Sequence, residues 1–437
     1  MTYSETIDFM YSQLPMFTRI GAAAYKKDLH NTTRLSQAFD NPERKFKTIH
    51  VAGTNGKGST SHMLAAIFQT AGYKTGLYTS PHLKDFRERI RINGEWIRED
   101  FVIDFVKNSQ QLIEEIKPSF FELTVVMAFE YFAREKVDIA IIETGLGGRL
   151  DSTNIITPEL SIITNIGWDH MNLLGDTLEK IATEKAGIIK QYIPVVVGET
   201  LPTTRNVFKQ KASQETAFVV WAEDQYEVAN VSLKIDELIG DFTNQRGETI
   251  TIHCDLPGIY QQKNICTVLT AVDVLKKNGH SLTDANVRTA LKQVKKLNGL
   301  HGRWELVHHD PYVILDVGHN EDGVKQIIRQ LKVTGVPPSS VKIIVGVVKD
   351  KEVDKVLQLF PSTYRFYFTN AHIPRAMMAA ELQEKAAGFG LHGNVYNDVN
   401  DAIKNAIVDA AKEDLIIVCG SVFVVGEVDV DFLMSEA

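Results

Sequence analysis

Cysteine is scarce. The 437 residues hold three, Cys254, Cys266 and Cys419, far apart and without a CxxC pair. That excludes a disulfide framework, argues against a zinc site and fits a reducing compartment. Long apolar runs are missing as well: no stretch reaches the roughly 18 to 20 uninterrupted apolar residues of a membrane span. Glu5 and Asp8 interrupt the first residues, so a secretory leader, basic and then apolar, is not expected. Positive charge is in deficit, with 47 Lys and Arg against 55 Asp and Glu and a formal charge of −8. Non-specific nucleic-acid binding needs a basic footprint and is disfavoured. Internal repeats, low-complexity tracts and charge runs are also lacking. These absences describe a cytoplasmic globular protein with no membrane or nucleic-acid partner, a monomer by default. The chain is 44% hydrophobic and 23% charged and too long for one ordinary core, so two or three domains are expected.

What is present alternates. Short Val- and Ile-rich runs at 47–51, 74–78, 137–143, 160–165 and 194–197 are separated by segments of helical period, including 58–69 and 176–190, the latter with Asp176 or Thr177 as cap. This is the pattern of a parallel sheet covered by helices. The region 221–254 alternates in twos and carries turns such as Asn244-Gln-Arg-Gly247, which predicts a small antiparallel excursion. Helices are expected from 264 to 277 and from 281 to 294. Leu297-Asn-Gly-Leu-His-Gly-Arg303 then breaks the period and reads as a linker. Beyond it strands are expected at 312–315, 341–347, 365–369, 394–396 and 415–419, with helices at 321–333, 351–359, 377–388 and 400–412. The expected fold is α/β throughout. A mostly parallel-sheet domain of the P-loop ATPase type, 1–297, is followed by a smaller Rossmann-like α/β domain, 298–437.

The strongest local signal is His50-Val-Ala-Gly-Thr-Asn-Gly-Lys-Gly-Ser-Thr60. A strand ends, a Gly-rich turn carries Lys57, and a helix opens on hydroxyl residues. Glycines let successive backbone N–H groups face one anion, the helix N-terminus adds partial positive charge and Lys57 a full one. Gly53 to Thr60 are therefore candidate ATP-binding residues, with Ser59 or Thr60 able to reach Mg²⁺. The spacing departs from the common G-x-x-x-x-G-K-[ST], because Gly58 lies between Lys57 and Ser59. Glu143 ends the next apolar run and Asp169-His170 follows the one after, at the strand edge where open α/β sheets bind ligands. A phosphate-bound Mg²⁺ takes oxygen ligands, commonly one or two carboxylates. Glu143, Asp169 and His170 could equally be ordinary strand-end polar groups. On these residues alone the chain is an ATP-using P-loop enzyme with a second α/β domain.

Several further motifs stand in order along the chain. They are Thr79-Ser-Pro-His-Leu83, Phe121-Glu122, Glu143-Thr-Gly-Leu-Gly-Gly-Arg-Leu-Asp-Ser-Thr-Asn154, Asn165-Ile-Gly-Trp-Asp-His170, Glu184-Lys-Ala-Gly-Ile188, His301-Gly-Arg303, Asp316-Val-Gly-His-Asn320 and Cys419-Gly-Ser-Val-Phe-Val-Val-Gly426. With the phosphate loop they make the sequence closely similar to the folylpolyglutamate synthase/dihydrofolate synthase family of the Mur-ligase superfamily, over nearly its whole length. The resemblance implies ATP-dependent addition of L-glutamate to dihydropteroate or reduced folates through an acyl phosphate, with two Mg²⁺ sites and domain closure over the nucleotide. It implies roles residue by residue. Lys57 holds the β- and γ-phosphates, and Asn264, Arg303 and Asp316 surround the nucleotide. Ser59 ligates one Mg²⁺, and Ser80, Glu143 and His170 ligate the other. Lys185 matches a lysine carried as a carbamate. Ser119, Phe120, Phe121, Glu122, Leu150, Asp151 and Ser152 face the pterin, with Asp151 accepting its N–H groups. His319 and Ser421 hold the incoming glutamate. Val317 and Glu321 depart from the family pattern, which has a small residue and a proline there. Two alternatives remain. A Mur-type cell-wall ligase usually carries an additional N-terminal domain, whereas only about 45 residues precede the first strand here. A nucleotide-binding interaction module that ligates nothing is the other.

Overall fold

The computed structural model describes residues 1–437 apart from 17, 18, 20, 22–25, 27, 350, 351, 436 and 437. The chain divides into two compact units. One comprises Met1–Val231, Ile239–Cys254 and Gln261–Leu300; the other comprises Ser232–Leu238, Asp255–Tyr260 and His301–Ala437. The division is not a single cut, because the segment around the small sheet passes between units before residue 300.

The first unit is built on an eight-stranded sheet. Its strands are β1 (Lys47–Ala52), β2 (Thr75–Tyr78), β3 (Ile90–Ile92), β4 (Glu95–Trp96), β5 (Ile139–Glu143), β6 (Leu160–Ile163), β7 (Val195–Val197) and β8 (Val219–Trp221), in the order β4-β3-β2-β5-β1-β6-β7-β8. All pairings from β2 to β8 are parallel; only β2–β3 and β3–β4 are antiparallel. Helices cover both faces, so β5, β6 and β7 are buried at every residue, which is why they read as near-continuous apolar runs. Strand β1 lies between β5 and β6, so chain leaving its carboxyl end enters the crevice where the strand order reverses. There helix α1 (Lys57–Thr70) begins, with Gly56 at its N-cap in the left-handed region at φ +83°.

Helix α2 (Phe120–Arg134) is apolar nearly all round and buried from Glu122 to Phe132. Periodicity does not find such a helix, since no face of it is polar. Helix α3 (Leu178–Ala186) is shorter than the expected 176–190 and is capped by Thr177, whose hydroxyl accepts from the Lys180 amide. The expected excursion is a sheet of β9 (Tyr226–Leu233), β10 (Leu238–Asn244) and β11 (Thr249–Cys254), in the order β11-β10-β9. The turn between β10 and β11 is short enough to join only antiparallel neighbours. Helix α4 (Gln261–Lys277) follows and is largely buried.

The second unit holds a six-stranded sheet of β12 (Glu305–His308), β13 (Tyr312–Leu315), β14 (Val341–Val345), β15 (Arg365–Phe368), β16 (Gly393–Val395) and β17 (Leu415–Cys419), in the order β12-β13-β17-β14-β15-β16. All neighbours pair parallel except β12–β13. Helix α5 (Glu321–Thr334) crosses from β13 to β14. The expected helix at 351–359 starts outside the described residues and appears as Val353–Leu357. The three cysteines are free and buried. Among the described residues no helix is long and apolar enough to cross a membrane.

Candidate active site

The phosphate loop is held open by its neighbours rather than by itself. The Thr54 amide donates to the Asn165 carbonyl at 3.0 Å, and the Asn55 amide to the Asn165 side chain at 2.9 Å. Thr164 Oγ1 donates to the Asn55 carbonyl at 2.6 Å, and the Gly167 amide to Thr54 Oγ1 at 3.0 Å. The segment leaving β6 thus braces the loop leaving β1. The turn depends on glycine at two places. A Cβ on Gly53, at φ +151°, would lie 1.9 Å from Thr164 Oγ1, and one on Gly56 would lie 2.4 Å from Asn264 Oδ1. Asn264, from α4, therefore sits against the loop, and its Nδ2 donates to Gln261 Oε1 at 2.7 Å. Gln261, which the sequence reading passed over, donates through Nε2 to Ser59 Oγ at 3.1 Å and is fully buried.

Two ammonium groups meet one carbonyl here. Lys57 Nζ donates to the Gly53 oxygen at 3.0 Å and to the Thr54 oxygen at 3.1 Å, and Lys185 Nζ reaches the same Gly53 oxygen at 2.8 Å. Lys185 comes from α3 and is buried, not on an exposed helix face. Burial first, and the nearby Lys57 charge second, lower its pKa to about 7, against the opposite pull of Asp169 and Asp151. Its helix is pressed onto the turn after β5. The Arg149 amide donates to the Glu184 carbonyl at 2.7 Å, and a Cβ on Gly148 would come within 2.8 Å of the carbonyl oxygens of both Glu184 and Lys185.

Glu143 ends β5 one strand from the loop, buried, and Oε2 accepts from the Ser80 amide at 3.3 Å. His170, half-buried, sits at φ +51° and its amide donates to Asp169 Oδ1 at 2.9 Å. For Mg²⁺ the donor set is a test in itself. Among the described residues no three His, Cys, Asp or Glu side chains form a group able to hold a metal, so a cage built wholly from such groups is not offered. A single buried carboxylate, nearby hydroxyls and the buried, unpartnered Thr60 Oγ1 and Thr144 Oγ1 suit a hard ion that keeps water and phosphate oxygens as ligands. The residues fit Mg²⁺ carried by a nucleotide. The imidazole of His170 is the unusual member of the expected set.

The residues expected around the pterin are placed unequally. Ser119 and Glu122 form the capping box of α2: Ser119 Oγ accepts from the Glu122 amide at 3.2 Å, and Glu122 Oε2 accepts from the Ser119 amide at 2.6 Å. Glu122 Oε1 is buried without a partner. Phe120 packs in an aromatic core, with ring centroids 5.6 Å from Tyr11 and 5.9 Å from Phe86. Phe121 is only half-buried and lies against Gly145, where a Cβ would meet its ring at 2.5 Å. Leu150 and Ser152 are half-buried in the same turn. Asp151 is buried and already engaged: Oδ2 accepts from the Leu146 amide at 2.7 Å, and Oδ1 from the Thr153 amide at 3.0 Å and hydroxyl at 2.5 Å. Burial raises its pKa and these donors pull it back. These bonds tie it into the turn.

In the second unit the loops after β13 and β17 are joined by the Gly420 amide donating to the Gly318 carbonyl at 3.0 Å. Asp316 is buried within its own unit: Oδ2 accepts from Tyr260 Oη at 2.8 Å and the Trp304 amide at 3.0 Å, and Oδ1 from the Gly318 amide at 2.8 Å. Burial raises its pKa and the Arg303 charge opposes. His319 is half-buried, and Ser421 caps a helix through the Phe423 amide at 3.1 Å. Val317 and Glu321, the two departures, each have a defined place. The Val317 amide donates to the Gly302 carbonyl at 3.0 Å. Glu321 opens α5 behind the Asn320 cap, a position that suits an acid as well as a proline.

A P-loop at a switch point, a strand-end carboxylate and a second α/β unit fit the Mur-ligase class, and the family comparisons establish it. Residues 51–272 match the Mur ligase middle domain and residues 302–422 the Mur ligase glutamate ligase domain. The chain is 33% identical to the dihydrofolate synthase/folylpolyglutamate synthase of Bacillus subtilis, covering 92% of this chain and 94% of that protein. It is 30% identical to the folylpolyglutamate synthase of Lacticaseibacillus casei, over 98% of each. The folylpolyglutamate synthase of Thermotoga maritima superimposes with a TM-score of 0.82 at 32% identity, covering 100% of this chain and 97% of that one. E. coli FolC in complex with DHPP and ADP superimposes with a TM-score of 0.84 at 26% identity, covering 100% and 99%. This chain belongs to the folylpolyglutamate synthase/dihydrofolate synthase family.

Proposed function

We propose that this protein uses ATP to join L-glutamate to the carboxylate of dihydropteroate, of a reduced folate, or of both, releasing ADP and phosphate. A carboxylate is a poor electrophile, because its charge repels an amine and oxide is no leaving group. Transfer of the γ-phosphoryl to a carboxylate oxygen breaks the bond to ADP and gives an acyl phosphate. The neutral amine of glutamate then forms the C–N bond, the C–O bond to phosphate breaks, and the amine proton is released. Phosphoryl transfer needs chiefly positioning and charge neutralisation. The observation that carries the reading is the Gly-rich turn that opens α1, with the Lys57 ammonium on the Gly53 and Thr54 carbonyls. It sets positive charge where polyphosphate oxygens would lie, one strand from Glu143.

In this scheme Lys57 and the loop amides hold the β- and γ-phosphates, and Asn264 fixes the loop. Mg²⁺ would be held by Ser59 at one site and by Ser80, Glu143 and His170 at another. When bound it supplies neutralisation of the phosphoryl charge. Phe121, Leu150 and Ser152 would line the acceptor's ring. From the second unit, Arg303 would face the nucleotide and His319 and Ser421 the incoming glutamate, with Asp316 holding the loop that carries His319. Carbamylation of Lys185 would turn a repulsive ammonium pair into an attractive one with Lys57. With its pKa near 7, the amine is mostly neutral at pH 8 and attacks CO₂, and mostly protonated and inert at pH 6. Under ¹³C-bicarbonate the wild type is expected to show a carbamate carbon signal at pH 8 that fades towards pH 6. Lys185→Arg should show none at either pH.

Parallel assays with dihydropteroate and tetrahydrofolate as acceptors test the function. Each accepted substrate should gain one glutamyl residue by mass for each phosphate released. Phosphate release without any glutamate-dependent product would point instead to a nucleotide-binding module that ligates nothing.

A further inference from the structure

His50 lies in the middle of β1, paired in register with Ile142 on one side and Ser161 on the other, and is fully buried. Its Nε2 is 2.8 Å from Thr153 Oγ1, in the turn that ends the Glu143–Asn154 motif. The direction of the protons in this contact follows from the next link. Leu146 N, Thr153 N and Thr153 Oγ1 all point donors at Asp151, so its carboxylate is the acceptor. The single Thr153 hydroxyl hydrogen is used there, and towards His50 the same oxygen can only accept. His50 is therefore the Nε2–H tautomer, with a bare Nδ1. That Nδ1 is buried and has no partner. Burial, and secondarily the charge of Lys190, push the imidazole pKa down to about 3, so the ring is neutral. Lys190 itself ties down the same turn, donating to the Asn154 carbonyl at 3.0 Å.

A histidine with one ring nitrogen orphaned in a dry core is a costly way to fill space, and an apolar residue would pack there without that cost. What it gains is a fixed donor from the strand that ends in the phosphate loop. The donor orients Thr153, Thr153 orients Asp151, and Asp151 fixes the Leu146 amide beside Gly145, the glycine on which the half-exposed Phe121 ring rests. We propose that His50 is a positioning residue for the acceptor's ring system, acting through Thr153 and Asp151 to hold the Gly145–Leu146 turn against Phe121. This rests on the reading that the turn and Phe121 meet the acceptor. Phosphate binding, at the far end of β1, does not pass through the chain of bonds.

The test compares the wild type with His50→Leu, His50→Gln and Thr153→Val, measuring KM for the acceptor and for ATP separately. It adds ¹⁵N spectra of histidine-labelled protein, with the His50 resonances assigned by their loss in His50→Gln. Leu removes the donor and keeps the bulk; Gln keeps an N–H donor near the Nε2 position. His50→Leu and Thr153→Val are expected to raise the acceptor KM roughly tenfold and leave the ATP KM within about twofold, while His50→Gln returns the acceptor KM close to wild type. The ¹⁵N shifts should show the neutral Nε2–H tautomer, unchanged from pH 6 to pH 8. An acceptor KM within twofold of wild type in Thr153→Val, equal rises in both KM values, or an Nδ1–H tautomer overturns the proposal. If His50→Leu does not fold, Thr153→Val and the wild-type spectrum still decide. A wild type that ligates no glutamate would instead sink the functional reading, and the tautomer would stand or fall independently of it.

Discussion

Lys57→Ala is expected to lower acceptor-dependent phosphate release by about a thousandfold or more, in a protein that stays folded. Removing one preorganised donor from developing charge typically costs 10²- to 10³-fold, and Lys57 adds a full charge to the hydrogen bond. In the fold it caps the carbonyls of Gly53 and Thr54 and is itself half-buried, so its loss leaves little of the core exposed. The measurement is single-turnover phosphate release with saturating acceptor and glutamate, beside an unfolding curve. A loss below tenfold would mean that the loop does not hold the transferred phosphoryl group. Lys57→Arg is not a conservative control, since a planar fork cannot take the place of a compact ammonium.

Gly148→Ala is expected to lower both the stability of the first unit and ligase activity. Its φ is not in the left-handed region, so backbone strain is not the reason. The added Cβ would lie 2.8 Å from the Glu184 oxygen, 2.8 Å from the Lys185 oxygen and 3.0 Å from the Lys185 Cα. All three are backbone atoms of a helix, which cannot give way as a flexible side-chain end would. Overpacking of this kind costs about 1–3 kcal/mol, and relief requires α3 to move, taking Lys185 Nζ off the Gly53 carbonyl. The expected result is a lower urea midpoint for the first unit and at least a hundredfold loss of ligase activity. The matching control is Gly279→Ala. It has φ +94° and nothing within 4 Å of an added Cβ, and should cost about 1–2 kcal/mol from the left-handed backbone alone with activity intact. Equal behaviour of the two variants would mean that the close approach of the turn to α3 does not matter.

What could be read from the chain alone was whatever local geometry demands. The phosphate loop was legible because its glycines, Lys57 and hydroxyls stand together in one short strand–turn–helix segment, and the parallel strands because burial on both faces leaves few polar residues in them. Helix α2 was not, since a segment apolar on every side has no face to detect. Some signals were present and read otherwise. Ser119-Phe-Phe-Glu122 is the S-x-x-E pattern of a capping box, and the structure uses both residues in that way. The carboxylates of Asp151 and Asp316 show a different limit. A motif tells that an acid is required, but not that three donors of the protein's own chain converge on it, which only the packed structure shows. Gln261 and His50 make their decisive contacts to residues 202 and 103 positions away, and no local pattern carries such a pairing.

The buried thiols have a practical corollary. Cys254, Cys266 and Cys419 are shielded from solvent, and burial holds Cys266 as a protonated thiol, its pKa pushed up to about 12. A nucleophilic sulfur needs to be ionised and reachable, so maleimide chemistry meets no native competitor on the folded surface. A cysteine placed at exposed Lys209 in the first unit, and another at exposed Glu384 in the second, would each be a sole address for a dye. The wild-type background then needs no thiol removed before either unit is labelled for fluorescence.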